Sequence, residues 1–273
     1  MILIALLLQA YDPEIEAVMK RSRQTKEQAA VATPAAAAPL SKEQAAKFQA
    51  CLDAAVTDPD AGVKFANDWR IDGGGFNARQ CLGFSYAKAE RWAPARVAFE
   101  QAADEAERQG AAVDSGRLWA QAGNAALAEG DIATARRHFD AALARGIPDG
   151  LEKGEVYLDR ARTLVALKDD KGARADLTNA LRMAPKDPLA WLLSATLARR
   201  MDDLALAQQH IAEAVKLSPD DSSVALEEGN IAVLSSRDAD AKAAWERAAR
   251  LAPDAPSGKA AAENLTRLNT PPG

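Results

Sequence analysis

Residues 185–219 read PKDPLAWLLSATLARRMDDLALAQQHIAEAVKLSP. A proline opens the stretch, and the next proline in the same setting stands 34 residues on, at Pro219. The step repeats to Pro253. Each proline follows an Ala-rich amphipathic run, and a fixed period of this length marks a chain built from stacked copies of one supersecondary unit. Setting the prolines at position 32 starts units at Gly154, Pro188 and Ser222, and the same pattern carried backward starts two more at Phe76 and Gly116. Position 20 then holds Ala95, Ala135, Ala173, Ala207 and Ala241; position 27 holds Ala102, Ala142, Ala180, Ala214 and Ala248. Position 8 holds Gly83, Gly123, Ala161, Ala195 and Gly229. Large residues recur at position 4 (Trp119, Tyr157, Trp191) and at position 24 (Phe99, Phe139, Leu177, Ile211, Trp245), with Tyr86 at position 11. Small residues let two antiparallel helices close on each other, and large ones fill the space between successive pairs.

This pattern of paired helices with small 8, 20 and 27 and large 4, 11 and 24 resembles the tetratricopeptide repeat. The resemblance covers residues 76–253 and implies an all-α fold, a right-handed superhelical solenoid of antiparallel helix pairs. The first two steps are longer than 34 residues. The first extra stretch is expected to prolong a second helix through ADEAERQG, the other to form a loop at GIPDG, Gly146 to Gly150. Position 7, Leu in the pattern, is Arg160, Ser194 and Glu228, which predicts looser packing there. A solenoid needs caps. Residues 41–75 are read as a degenerate pair, Ser41 to Val56 and Pro59 to Trp69, with Ala61 and Phe65 at positions 20 and 24. Residues 254–273 are read as a closing helix, Ser257 to Leu268, with a tail.

Composition agrees with a helical array and limits its work. The chain has 273 residues, a net charge of −5 and a pI near 5.3, without the basic surplus of a nucleic-acid binder. Ala, the best helix former, makes up nearly a quarter of it. No apolar run reaches the ~20 residues that span a bilayer. His138 and His210 both fall at position 23, beside the core, where a structural histidine is expected. No HExxH, GxSxG or CxxC occurs, and Gly73 to Gly75 lack the Lys-Ser/Thr of a phosphate loop. A non-enzymatic protein without cofactor or metal is expected.

Met1 to Ala10, MILIALLLQA, has the apolar length and small final residue of a secretory signal, but no basic residue precedes the run and Leu8 is large. Two readings stand, export to a periplasmic or secreted location and a greasy cytoplasmic N-terminus. Residues 11–40, with Pro34 and Pro39 around an Ala run, read as a linker. Cys51 and Cys81 lie on first helices of neighbouring units. They suit a single disulfide in an oxidising compartment, or else two buried thiols.

The family resemblance also implies a partner, a peptide or protein segment held on the concave face by positions 2, 5, 9 and 12 of first helices. Those positions give Asn77, Gln80, Phe84, Arg117, Asn124, Arg162, Arg199 and Asn230. Asn124 and Asn230 both stand at position 9, where an amide can pair with a peptide backbone. The three arginines would favour an acidic segment or C-terminal carboxylate. The Lys that chaperone-binding members carry at position 5 of the first unit is Gln80 here. Against this stands the plainer possibility of a wet groove wall. The implied function is an interaction scaffold, in the cell envelope if exported, with an accessory or regulatory subunit of a cytoplasmic enzyme as the alternative.

Overall fold

The computed structural model describes residues 41–269, so the apolar run, the linker and the last four residues lie outside the described residues. Among the described residues there are thirteen helices and no strand. They fall into two compact units that divide between Met183 and Ala184. The first unit holds α1 (Lys42–Thr57), α2 (Pro59–Ile71), α3 (Gly75–Lys88), α4 (Trp92–Arg108), α5 (Ala112–Glu129), α6 (Ile132–Leu143), α7 (Leu151–Ala166) and α8 (Asp170–Met183). The second holds α9 (Pro188–Arg200), α10 (Leu204–Leu217), α11 (Ser222–Leu234), α12 (Asp238–Leu251) and α13 (Pro256–Asn269). Within each unit a helix packs chiefly on its neighbours in sequence, as antiparallel pairs joined by short turns do.

The helix starts are set by local chemistry. Asp58, Asp131, Asp187, Asp203 and Asp221 each accept a hydrogen bond from a first-turn amide, and Ser41 and Gln44 form a capping box at α1. The turns inside the pairs are equally regular. Glu90, Gly130, Lys168, Asp202 and Ser236 all have positive φ, and all stand at position 15. The next amide in each turn reaches back to the carbonyl five residues earlier, as in Asp131 to Ala126 and Asp203 to Ala198, both 2.9 Å. This left-handed exit satisfies carbonyls at the helix end, and only one unit fills it with glycine. Lys168→Gly is therefore expected to raise stability by about 0.5–1 kcal/mol, read as a higher denaturant midpoint; a lower midpoint would contradict the turn geometry.

The cores follow the small–large pairing. All ten alanines at positions 20 and 27 are fully buried. A Cβ added to Gly83 would come within 2.7 Å of the Phe99 ring, and one added to Gly123 within 2.7 Å of the Phe139 ring. Gly229 is closed off in the same way by Trp245. Units with alanine at position 8 carry a smaller side chain at position 24, Leu177 with Ala161 and Ile211 with Ala195. The helix pairs thus hold a near-constant volume at this contact by exchanging methyl groups for ring atoms.

Four features add to the sequence reading or differ from it. In the capping pair the closely packed residue of α2 is Gly62, not Ala61: Gly62 lies against Ala55 and Ser85, while Ala61 is exposed and Phe65 only partly buried. Position 7 is not loosely packed. Arg160 makes a bidentate pair with buried Asp176 (2.7 Å each), Ser194 bonds His210 (2.9 Å), and Glu228 pairs with Arg247. Position 7 is thus polar on both sides of the contact. The GIPDG segment is a turn whose Ile147 is 1% exposed and fills the space above Gly116, so it adds to the core. Helices α5 and α7 begin at Ala112 and Leu151, ahead of the unit starts at Gly116 and Gly154.

Candidate functional site

Cys51 of α1 and Cys81 of α3 are joined as a disulfide, with Cα atoms 6.3 Å apart. Both are fully buried, in a cluster with Ala66 and beside Phe48, Leu52, Phe65 and Leu82. The bond links α1 directly to α3 and so ties the edge pair to the helix that carries Asn77, Gln80 and Phe84. No described helix is long and apolar enough to cross a membrane.

The residues expected to face a partner separate into two groups. Asn77, Gln80 and Phe84 on α3 are partly exposed, and Asn124 on α5 is exposed. The Gln80 amide donates to Gln121 of α5 at 3.2 Å, which places these two first helices side by side. Lys88 lies over the Phe84 ring, 5.8 Å from its centre. Gln121, at position 6, was not among the expected residues, because position 6 is not a groove slot in the repeat pattern.

The second group is engaged within the chain. Arg117 of α5 forms a bidentate pair with Glu152 of α7 (2.5 and 3.0 Å) and also reaches Asp114 at 3.4 Å. The hydrogen bonds to Glu152 raise its pKa, so the guanidinium stays charged and neutralised. Arg162, 8% exposed, pairs with Asp159 at 2.9 Å. In the second unit Arg199 grips Glu227 through two hydrogen bonds of 2.6 and 3.2 Å, and Glu227 is fully buried. Asn230 is 5% exposed. Its amide donates to Glu227 and accepts from Trp245 and from Asn264 of α13. The expectation that Asn230 offers its amide to a peptide is therefore corrected: its oxygen and one amide hydrogen are spent inside the unit.

The histidines pack. His138 stacks on Trp119 with ring centres 5.1 Å apart and its Nε2 meets Glu100 at 2.8 Å; His210 sits edge-on to Trp191, also at 5.1 Å. Burial pushes the His138 pKa below 6.5, assisted by Arg96 and Arg137 and opposed by Glu100. A histidine whose folded pKa is depressed supports the fold fully above its unfolded pKa, and that support is lost as the pH falls through the folded value. Stability is expected to decline on acidification below about pH 6.5. His138→Gln should flatten that slope in denaturant titrations at stepped pH; an unchanged slope would remove His138 as its source.

No family model matches the chain. No curated protein matches it either. Solved structures do. PilW, described as a widely conserved type IV pilus biogenesis factor, superposes with a TM-score of 0.67 at 16% identity, over 81% of this chain and 98% of that one. PilF of Pseudomonas aeruginosa gives 0.66 at 14% identity, over 82% and 100%. YrrB, described as a TPR protein with an unusual peptide-binding site, gives 0.53 at 17% identity, over 68% and 91%. With the five-fold recurrence of the position-15 turn and the buried alanines at 20 and 27, these likenesses show that the chain has the fold of tetratricopeptide-repeat proteins.

Proposed function

We propose that the protein is a non-enzymatic interaction scaffold that holds a peptide or partner segment against first helices of its repeats. The observation that carries this reading is the contrast on α3 and α5. Gly83 and Gly123 there are closed off by the rings of Phe99 and Phe139, yet Asn77, Gln80 and Phe84 stay partly exposed and Asn124 exposed, on two first helices joined by the Gln80–Gln121 bond. The described residues hold no group of three or more His, Cys, Asp or Glu arranged for a metal ion. The likeness to YrrB, a peptide-binding protein by its description, supports the same use of the fold. Arg117, Arg199 and Asn230 act in this proposal as internal ties that hold neighbouring helices in register, while Arg162 pairs with Asp159 on its own helix.

The setting we propose is the bacterial cell envelope. The buried Cys51–Cys81 bond supports it, because disulfides persist in oxidising compartments. An affinity pull-down from envelope extract, with mass spectrometry of what is retained, tests the scaffold. Native protein should retain a defined partner. Asn124→Ala, with unchanged helicity, should retain it about fivefold less well, the loss of one net hydrogen bond of about 1 kcal/mol. Equal retention by Asn124→Ala and Phe84→Ala would move the site off these helices.

A further inference from the structure

We infer that the α1–α2 pair is an arm latched by the Cys51–Cys81 bond, and that the face it covers on α3 is an interaction surface for the same pair of a second copy. With the bond intact the pair stays on its own α3. With the bond reduced, two chains exchange their pairs and form a dimer.

A latch, a hinge and a covered face are all in place. The disulfide holds α1 to α3, and its sulfurs lie in a cluster with Ala66, edged by Phe48, Leu52, Phe65 and Leu82. A polar tie from α2 to the body, Asp60 with Arg91 at 3.1 Å, is exposed on both sides and holds little. The hinge is Gly73-Gly74-Gly75, which runs from the end of α2 into α3. Gly73 and Gly75 have φ of +83° and +56°, and a Cβ on Gly73 would meet no atom within 4 Å. Glycine takes these angles and extended ones alike, so a few residues here absorb a swing of the arm.

The covered face is fitted to the pair. Ala78, Cys81 and Ser85 of α3 are fully buried, and the Ser85 hydroxyl donates to the Cys81 carbonyl at 2.8 Å. A Cβ on Gly62 of α2 would fall 2.6 Å from the Ser85 Oγ, which shows how closely the arm seats. Helices α3 and α4 form a complete repeat and α1 and α2 a degenerate one, so the arm opens while the body stands. Each opened chain then carries a vacated face and the pair that fits it. The pair of a second copy makes the same contacts, and such an exchange is a low-cost route to a dimer.

A dithiol is the class of reductant that opens the latch. One of its thiolates attacks a sulfur of the Cys51–Cys81 bond to give a mixed disulfide, and its second thiolate displaces the protein thiol. Two electrons and two protons pass to the protein, which gains two thiols, and the dithiol leaves as its own disulfide. Both cysteines are fully buried, so attack waits on fraying of α1, whose first half is exposed.

The test uses the full chain. Oxidised protein should be monomeric by size exclusion with light scattering, and reduced protein should show a dimer whose share rises with concentration. Gly73→Val should raise that share several-fold, because a β-branched residue is strained at positive φ and the strain is relieved when the turn straightens. The variants Cys51→Ala and Cys81→Ala, neither able to close its own bond, are then mixed under reductant and returned to oxidised glutathione in native buffer. Exchange sets Cys51 of one chain beside Cys81 of the other, so a non-reducing gel should show a covalent dimer whose linked peptides contain Cys51 and Cys81. Reduced protein that stays monomeric at every concentration would overturn the inference. So would like-with-like links, Cys51 to Cys51 or Cys81 to Cys81, or no covalent dimer from the mixture. Circular dichroism checks the fold of each variant, and re-oxidation of the reduced native sequence gives the same covalent readout without a substitution.

Discussion

Replacing both half-cystines, as in Cys51→Ala with Cys81→Ala, is expected to lower stability by roughly 3–4 kcal/mol in the chain-entropy account of a cross-link. The link joins residues 30 apart in sequence and closes the capping pair onto α3. The loss should be local first. Helices α1 and α2 carry few buried residues, among them Cys51, Ala55, Gly62, Ala66 and Trp69, and most of the first half of α1 is exposed. Without the bond they have little apolar area to hold them, so they should open below the global transition. Hydrogen exchange should show protection falling in α1 and α2 while α5 and α6 keep theirs. A change below about 1 kcal/mol, or a uniform fall in protection, would show that the cap is held by packing alone.

The second large effect concerns the exchange of size between positions 8 and 24. Gly123→Ala should raise helix propensity by about 1 kcal/mol, yet its methyl would lie 2.7 Å from the fully buried Phe139 ring. Overpacking costs about 1–3 kcal/mol, so the net effect should be destabilising. Phe139→Leu alone leaves a cavity. Together they recreate the Ala161–Leu177 combination of the next unit, and the double variant should be at least about 1 kcal/mol more stable than the sum of the singles predicts. Simple additivity in chemical denaturation would mean that the two positions do not share one contact.

Much of this packing is legible in the sequence because it is periodic. The alanines at 20 and 27 and the Gly–aromatic match at 8 and 24 recur at a fixed step, and each copy corroborates the others. The capping pair has no such corroboration. Ala61 and Gly62 are both small and adjacent, and Phe65, four residues after Ala61, puts the frame one residue off. Ile147 lies in an insertion, where the period is silent.

The candidate site was legible only as a set of helix positions. Whether a position-9 amide is open depends on what packs beside it. Asn124 is exposed, whereas Asn230 meets Asn264, which stands 34 residues further on in α13. The arginines were visible as cations, but their partners Glu152, Asp159 and Glu227 are reached by long side chains across turns or between helices. No repeat spacing encodes those pairings. They leave these arginines engaged within the chain, and Gln121 enters the candidate site only because it is seen to meet Gln80.

The central claim is that a partner is held on the first helices, and photo-crosslinking tests it most directly. A photoreactive amino acid placed at Asn124, on α5, would be compared with one at Arg136, exposed on α6 of the same pair. Under native expression the protein carrying the probe at Asn124 should yield a discrete crosslinked partner, and the one at Arg136 should not. A partner captured from Arg136 and absent from Asn124 would contradict the account and place the interaction on the second helices.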